Sequence, residues 1–238
     1  MKIIAIIQAR MNSTRLPFKS ATLLCGKPMT QHILERVKRA HMLDAVILAI
    51  PNEPGNGILK KCAISTGAEL FVADGISDND LLRRYVQAAE SYKPQLVVRV
   101  AADNPCVQAS EIDRILQERL RIHSPVRALY TNMQEVKRNG YPDGIGAEVY
   151  DMPFLRWLDA TQTDPRYREH PHLWAYEHNA VETVLCPRQF ARPELRLDVN
   201  TQEDFNFIRD IYEHCYPQNN NFGITDILAY LDERNLAK

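Results

Sequence analysis

The chain has 238 residues, 45% of them hydrophobic and 25% charged, with a net charge of −1. That length allows one large or two small domains, and the near-neutral balance argues against nucleic-acid binding, which needs a net cationic surface. No apolar run approaches the ~20 residues of a membrane span, the short apolar start meets Arg too soon for a signal peptide, and five dispersed cysteines without a Cys-x-x-Cys pair suit reduced thiols, so a cytoplasmic protein with no membrane partner is expected.

Ile3-Ile4-Ala5-Ile6-Ile7 reads as a strand buried on both faces. It ends abruptly in a polar loop, where Arg10, Arg15 and Lys19 place three fixed cations within ten residues. Asn12, Ser13 and Thr14 add hydroxyl and amide donors, and Pro17 stops an early helix. Residues 1–40 hold eight Lys or Arg against one acid, net +7, which leaves −8 for the remainder. A local cationic site on a near-neutral protein suits a small anionic ligand. In a parallel sheet such a loop lies beyond a strand's carboxyl end, where ligands bind. Arg forks and a Lys point charge there suit a polyphosphate. The other reading is a solvated basic loop.

A helix is predicted over 28–40, a second buried strand over 45–50, a Pro/Gly loop at 52–57, a helix at 57–66 and a short strand at 69–72. A polar loop at 74–79 leads to a helix at 80–92, a strand at 96–100, a helix at 109–122 and a strand at 126–130. This alternation predicts βαβ units and an α/β fold: a doubly wound, mostly parallel sheet. The second half changes character. It has a turn-rich loop at 139–144, strands at 145–150, 180–185 and 195–199, and helices at 151–162, 202–214 and 223–236. Residues 164–178 are rich in charge, His and aromatics. No linker divides the chain, so one domain over 1–238 is expected, with residues 132–192 forming a small inserted α+β lobe that covers the open side of the site.

Ala101-Ala102-Asp103-Asn104-Pro105 follows the strand at 96–100. Two small residues let a ribose or phosphate approach, and an Asp beyond a strand end can hold Mg²⁺ among phosphate oxygens. The lesser alternative is that Asp103 caps the following helix. Cys106 lacks a flanking base for thiol catalysis. His170-x-His172 lacks the further ligands of a zinc site. No P-loop or Gly-x-Gly-x-x-Gly pattern is present, which disfavours P-loop kinases and dinucleotide dehydrogenases.

Gln8-Ala9-Arg10-Met11-Asn12-Ser13-Thr14-Arg15-Leu16-Pro17-Phe18-Lys19 resembles the opening motif of the cytidylyltransferase-like proteins of spore-coat and surface polysaccharide synthesis, relatives of acylneuraminate and 3-deoxy-manno-octulosonate cytidylyltransferases. The family has Gly where Phe18 stands, and Gly permits backbone conformations that Phe disfavours. Five further stretches resemble family elements in the same order. Asp78–Tyr85, with Asp80 and Arg84, implies a place near the base; Ala101-Ala102-Asp103 implies the first metal ligand. Tyr141-Pro142-Asp143-Gly144 with Glu148 implies the acceptor side, where the family has an acid in place of Gly146. Arg168, Glu169 and His170, with Arg166 and His172, imply substrate contact or a dimer interface. Leu195–Asp204 implies Asp198 and Asn200 as further metal ligands, since i and i+2 share a strand face; Thr201 or Asn200 could also cap the next helix.

The resemblance implies a CTP-dependent nucleotidyltransferase that uses Mg²⁺ and passes CMP to a sugar acid or phosphorylated acceptor, with release of pyrophosphate. Gln8, Ala9, Arg10, Asn12, Ser13, Arg15, Lys19, Asp80, Arg84, Ala101 and Ala102 would bind the nucleotide, with Arg15, Lys19 and Asp103 central to the chemistry. CTP and a small anionic acceptor would be its partners, and a homodimer is expected. The rival readings are a glycosyltransferase using a finished nucleotide sugar and a non-catalytic nucleotide-binding protein.

Overall fold

The computed structural model describes residues 1–13, 15–121, 129–131, 133 and 139–234. Thr14, residues 126–128 of the predicted strand, much of the loop at 132–138 and the end of the last predicted helix lie outside the described residues. The first half alternates as its pattern requires: β1 (Ile3–Gln8), a small hairpin of β2 (Leu23–Leu24) and β3 (Lys27–Pro28), α1 (Met29–Val37), β4 (Ala45–Pro51), α2 (Gly57–Thr66), β5 (Glu69–Ala73), α3 (Leu81–Glu90), β6 (Leu96–Ala101) and α4 (Ala109–Arg121). The second half contributes β7 (Leu129–Thr131), β8 (Glu148–Asp151), α5 (Met152–Thr161), α6 (Pro165–Glu169), α7 (Pro171–Glu177), β9 (Val181–Thr183), α8 (Gln202–Gln218) and α9 (Ile224–Glu233).

One seven-stranded sheet runs β5-β4-β1-β6-β8-β7-β9. β5, β4, β1 and β6 are mutually parallel; β8 runs antiparallel to both β6 and β7, and β9 is parallel to β7. The apolar run of β1 shows why both faces are covered. Side chains alternate along a strand, so Ile3, Ala5 and Ile7 enter one core with Met29, Ile33 and Val37 of α1 and Ile112 and Leu116 of α4. Ile4 and Ile6 enter the other, with Leu82, Tyr85 and Val86 of α3 and Leu155 of α5.

The lobe expected over 132–192 contributes β8 and β9, which with β7 extend the main sheet. One expectation is corrected: Leu195–Val199 is extended but not a ladder strand, bridged among the described residues only at Arg196, with Asp143. Its alternation is real, since Leu195, Leu197 and Val199 are all buried. Its hydrogen bonds go to loops instead of a strand: the Asp143 amide donates to the Leu195 carbonyl (2.9 Å), the Leu197 amide to the Asp143 carbonyl (3.0 Å) and the Val199 amide to the Asp103 carbonyl (2.8 Å). Gly144 permits that approach. Its φ is +87°, and a Cβ there would sit 2.5 Å from the Leu197 carbonyl carbon.

Candidate active site

β4 and β5 lie on one side of β1 and β6 on the other, so chain order reverses between β1 and β6. Ligand crevices form at such a point, beyond the carboxyl ends of the strands. A cleft of about 240 Å³ lies there. Gln8 and Ala9 at the end of β1, and Ala101, Ala102 and Asp103 at the end of β6, line it with Arg10, Ser13, Arg15, Lys19, Arg84, Glu169 and His170. Residues from the first motif, α3, the end of β6 and α6 are thus brought together.

Each cation of the loop has a partner from a distant segment. Arg10 donates to Asn79 Oδ1 (3.0 Å), and Arg15 donates to Asn200 Oδ1 (2.7 Å). Lys19 Nζ donates to Asp103 Oδ2 (3.0 Å) and to the Val199 carbonyl (2.7 Å). The loop is fastened from behind, because the buried Ser20 hydroxyl donates to the Arg10 carbonyl (3.1 Å) and the Thr30 hydroxyl to the Ser20 carbonyl (2.9 Å). Phe18 sits at φ 60°, ψ 16°, the left-handed conformation, where Gly is unstrained. The other early cations serve the fold. Lys27 pairs with Glu35, Lys38 caps the carbonyls of Thr66 and Gly67 at the end of α2, and Arg39 binds Asn221. The +7 of the first forty residues is therefore only partly a ligand site.

Gln8 and Arg84 form one floor of the cleft. The Gln8 amide donates to the Leu81 carbonyl (2.8 Å) and accepts from Arg84 Nη1 (3.0 Å). Asn12 turns away from the cleft, donating to Glu53 (3.1 Å). Asp80 caps α3 by accepting from the Arg83 amide (3.0 Å), and its carboxylate also takes both fork nitrogens of Arg168 (2.9 and 2.8 Å). Arg168 further holds Asp159 (2.7 Å). Asp80 and Arg168 thus clamp α6 to α3 and α5, while Glu169 and His170 beside them reach the cleft.

The expected acceptor residues divide. Tyr141 is fully buried and donates to Glu111 on α4 (2.5 Å), so it faces the core and not the cleft. Asp143 is buried and spends its backbone on the 195–197 segment. Glu148 lies beneath the cleft floor, 1% exposed, and accepts from Arg99 Nη1 (2.9 Å), the Tyr150 hydroxyl (2.8 Å) and the Tyr176 hydroxyl (3.1 Å). Burial, the largest single influence, pushes the Glu148 carboxyl up, but Arg99, His172 and the Tyr150 hydroxyl together outweigh it and leave the group below its ordinary range. Burial drives His172, 3.8 Å from Glu148, down to about 4. Leu81 and Tyr85, from the stretch expected near the base, also line the cleft, with Arg99 and Ser20, which were not singled out in the sequence. Arg99 had a signal: a lone charge inside the apolar run Leu96–Val100.

Asp103 lines the cleft, whereas Asp198 and Asn200 do not; the Val199 amide and the Lys19 and Arg15 contacts tie their segment to it, and the oxygens of the three are of the kind a hard divalent cation takes. Protein cations already stand on their carboxylates: Lys19 on Asp103, and the Arg196 fork on Asp198 (3.1 and 2.8 Å). The Asn200 amide donates to Asp198, so the two do share a side. Among the described residues no group of three His, Cys, Asp or Glu forms a metal site. Two carboxylates and one amide remain, which fits an ion that takes one or two carboxylates and completes its shell with water and phosphate.

Residues 4–230 match the cytidylyltransferase family model. The chain is 29% identical over 219 residues to the spore coat polysaccharide biosynthesis protein SpsF of Bacillus subtilis, spanning 89% of this chain and 86% of the relative. It is 31% identical over 174 residues to a 3-deoxy-manno-octulosonate cytidylyltransferase of Pelobacter propionicus, 67% of this chain and 66% of the relative. A solved cytidylyltransferase from Leptospira borgpetersenii is similar across 99% of this chain and 95% of its own, with a TM-score of 0.86 at 25% identity. The chain belongs to the cytidylyltransferase family and is a nucleotidyltransferase.

Proposed function

We propose that the protein transfers CMP from CTP to an anionic acceptor, a sugar acid or phosphorylated sugar, in making precursors of surface polysaccharide. Its similarity to a spore coat polysaccharide biosynthesis protein and to a 3-deoxy-manno-octulosonate cytidylyltransferase supports this reading. The observation that carries it is the meeting of Lys19 with Asp103 and of Arg15 with Asn200, which ties the cationic loop that lines the cleft to oxygen donors from two distant segments.

Arg10, Arg15 and Lys19 hold the triphosphate and offset charge on the leaving group. Gln8, Arg84 and Asp80 flank the base side, and Ala101 and Ala102 leave room for the ribose. Asp103, Asp198 and Asn200 would hold Mg²⁺, which when bound neutralises phosphate charge and aligns the α-phosphate with the acceptor. A lone pair on the acceptor oxygen forms the new bond to the α-phosphorus as the bond to the bridging oxygen breaks. Pyrophosphate departs with that electron pair, and the acceptor's proton passes to water. Such chemistry is chiefly positioning and electrostatics. Glu169 and His170, with Arg99 on the floor, face the acceptor end.

The family resemblance also supports a cytoplasmic homodimer, which light scattering after size exclusion would test. Among the described residues no helix is long and apolar enough to cross a membrane. The deciding assay is pyrophosphate release from CTP across a panel of sugar acids and sugar phosphates, with and without Mg²⁺. CTP- and metal-dependent release with one acceptor is expected. Binding of CTP without turnover on any acceptor, or release of nucleoside diphosphate from a nucleotide sugar, would overturn the reading.

A further inference from the structure

A second cavity, about 670 Å³, opens where the end of α1, the start of α4 and the Asn221–Gly223 segment meet. Arg36 lines it and is unusual. Only 5% exposed, it pairs with no carboxylate among the described residues. Its Nε donates to the Tyr212 hydroxyl (3.2 Å) and its Nη1 to the Phe222 carbonyl (3.0 Å), its guanidinium lies 4.2 Å from the Phe222 ring centre, and its Nη2 has no partner. A buried charge without a counter-ion is costly, and an anion held beside it would lower that cost.

Three further features favour an anion there. Arg39 and Lys38 line the same cavity. Burial, and after it the charge of Arg36, holds Arg39 below its ordinary value, as two cations without an anion between them would do. Thirteen-residue α4 begins at the wall with Ala109 and Ser110, the helix end that leaves N–H groups unpaired and carries positive dipole charge. The one carboxylate on the wall, Asp113, already accepts from the His41 and Met42 amides (2.9 and 3.0 Å).

We propose that this cavity is a second anion site, distinct from the nucleotide cleft, which binds a phosphate group between the Arg36 and Arg39 forks and the start of α4. It is tied to the candidate active site, since the Tyr212 hydroxyl that accepts from Arg36 donates to the Pro105 carbonyl (2.5 Å), two residues after Asp103. The phosphate could be inorganic phosphate, pyrophosphate or the phosphate of CMP, and the test separates them.

The test is isothermal titration of the Arg15→Ala/Lys19→Ala double variant, which lacks two of the cleft's phosphate cations, with each of the three probes at low ionic strength. Saturable binding of at least one probe is expected, and the tightest names the source. Adding Arg39→Ala or Arg36→Met should weaken it about tenfold or more, as loss of a charge-assisted bond does. Arg39 is partly exposed, so its variant stays readable even if Arg36→Met fails to fold. No saturable binding of any probe, or binding unchanged by Arg39→Ala, would overturn the proposal.

Discussion

Arg15 and Lys19 are the side chains on which the phosphate reading rests, and their settings differ. Arg15 is exposed and holds one amide; Lys19 is largely covered and bridges Asp103 and the Val199 carbonyl. Arg15→Ala and Lys19→Ala should each weaken CTP binding by about 1.5–3 kcal/mol, tenfold to over a hundredfold, with the melting temperature nearly unchanged in Arg15→Ala and lowered in Lys19→Ala, which also loses its covered pair with Asp103. Titration calorimetry beside thermal unfolding checks this, and unchanged affinity in both variants would refute the triphosphate assignment. Phe18 is a second residue-scale case. Its left-handed φ costs a non-glycine residue about 1–2 kcal/mol, and at 62% exposed its ring has little packing to lose. Phe18→Gly should therefore raise stability by about 0.5–1 kcal/mol, after the extra chain entropy of Gly is subtracted. Urea unfolding would show it; a loss of stability would mean that the ring makes a contact worth more than the strain.

At the scale of elements, the join between β6 and β8 decides how the cleft floor answers to pH. Arg99 on β6 faces Glu148 on β8 in register, with two tyrosine hydroxyls closing around the carboxylate. His172 on α7 lies against it with Nδ1 unpartnered. Its folded value, about 4, is below the unfolded one near 6.5, so the unfolded chain takes up a proton that the folded protein refuses. Stability from His172 is fully present above about pH 6.5 and falls toward pH 4, by at most about 1.4 kcal/mol per pH unit. Glu148, held low by Arg99 against the effect of burial, keeps its contribution above its ordinary unfolded range near 4.3 and loses it only at lower pH. Unfolding free energies from pH 7 to 4.5 should slope in the wild type and slope less in His172→Phe, with buried His32, also held low by burial, keeping part of it. Glu148→Gln should cost about 3–5 kcal/mol at pH 7, because Arg99 is left buried without its counter-charge.

Across the whole molecule, the proposed metal donors come from segments nearly a hundred residues apart, joined where the Val199 amide donates a hydrogen bond to the Asp103 carbonyl. Asp103→Asn should abolish turnover while CTP binding persists on the first loop. Asn200→Asp is the sharper probe. It sets a third carboxylate beside Asp198 in place of the amide that now donates to it, so the metal-free protein should melt lower and Mg²⁺ should raise its melting point more than in the wild type. If Asn200 is only a helix cap, the change is nearly neutral and the Mg²⁺ curve stays where it was. Activity and melting temperature against Mg²⁺ concentration for both variants separate these outcomes.

Local chemistry made much of this legible in advance. The unbroken apolar run of β1, the helix–strand alternation to residue 121 and the cationic loop after the first strand each follow from periodicity and composition over a few residues, and they predicted the doubly wound half and the position of its cleft. Contacts between distant segments were another matter. Leu195–Val199 alternates like a strand, but whether it joins the sheet depends on which backbone lies beside it, and Asp103 and Asp143 took that place. Arg36, Lys38 and Arg39 add to the charge of the first loop in sequence and leave it in space. Tyr141 sits in a motif with Asp143, yet its hydroxyl turns to Glu111 on α4. Side-chain direction and charge compensation are set by neighbours far along the chain, so the sequence determined the framework and the kind of ligand, and only the tertiary structure decided which polar residues face it.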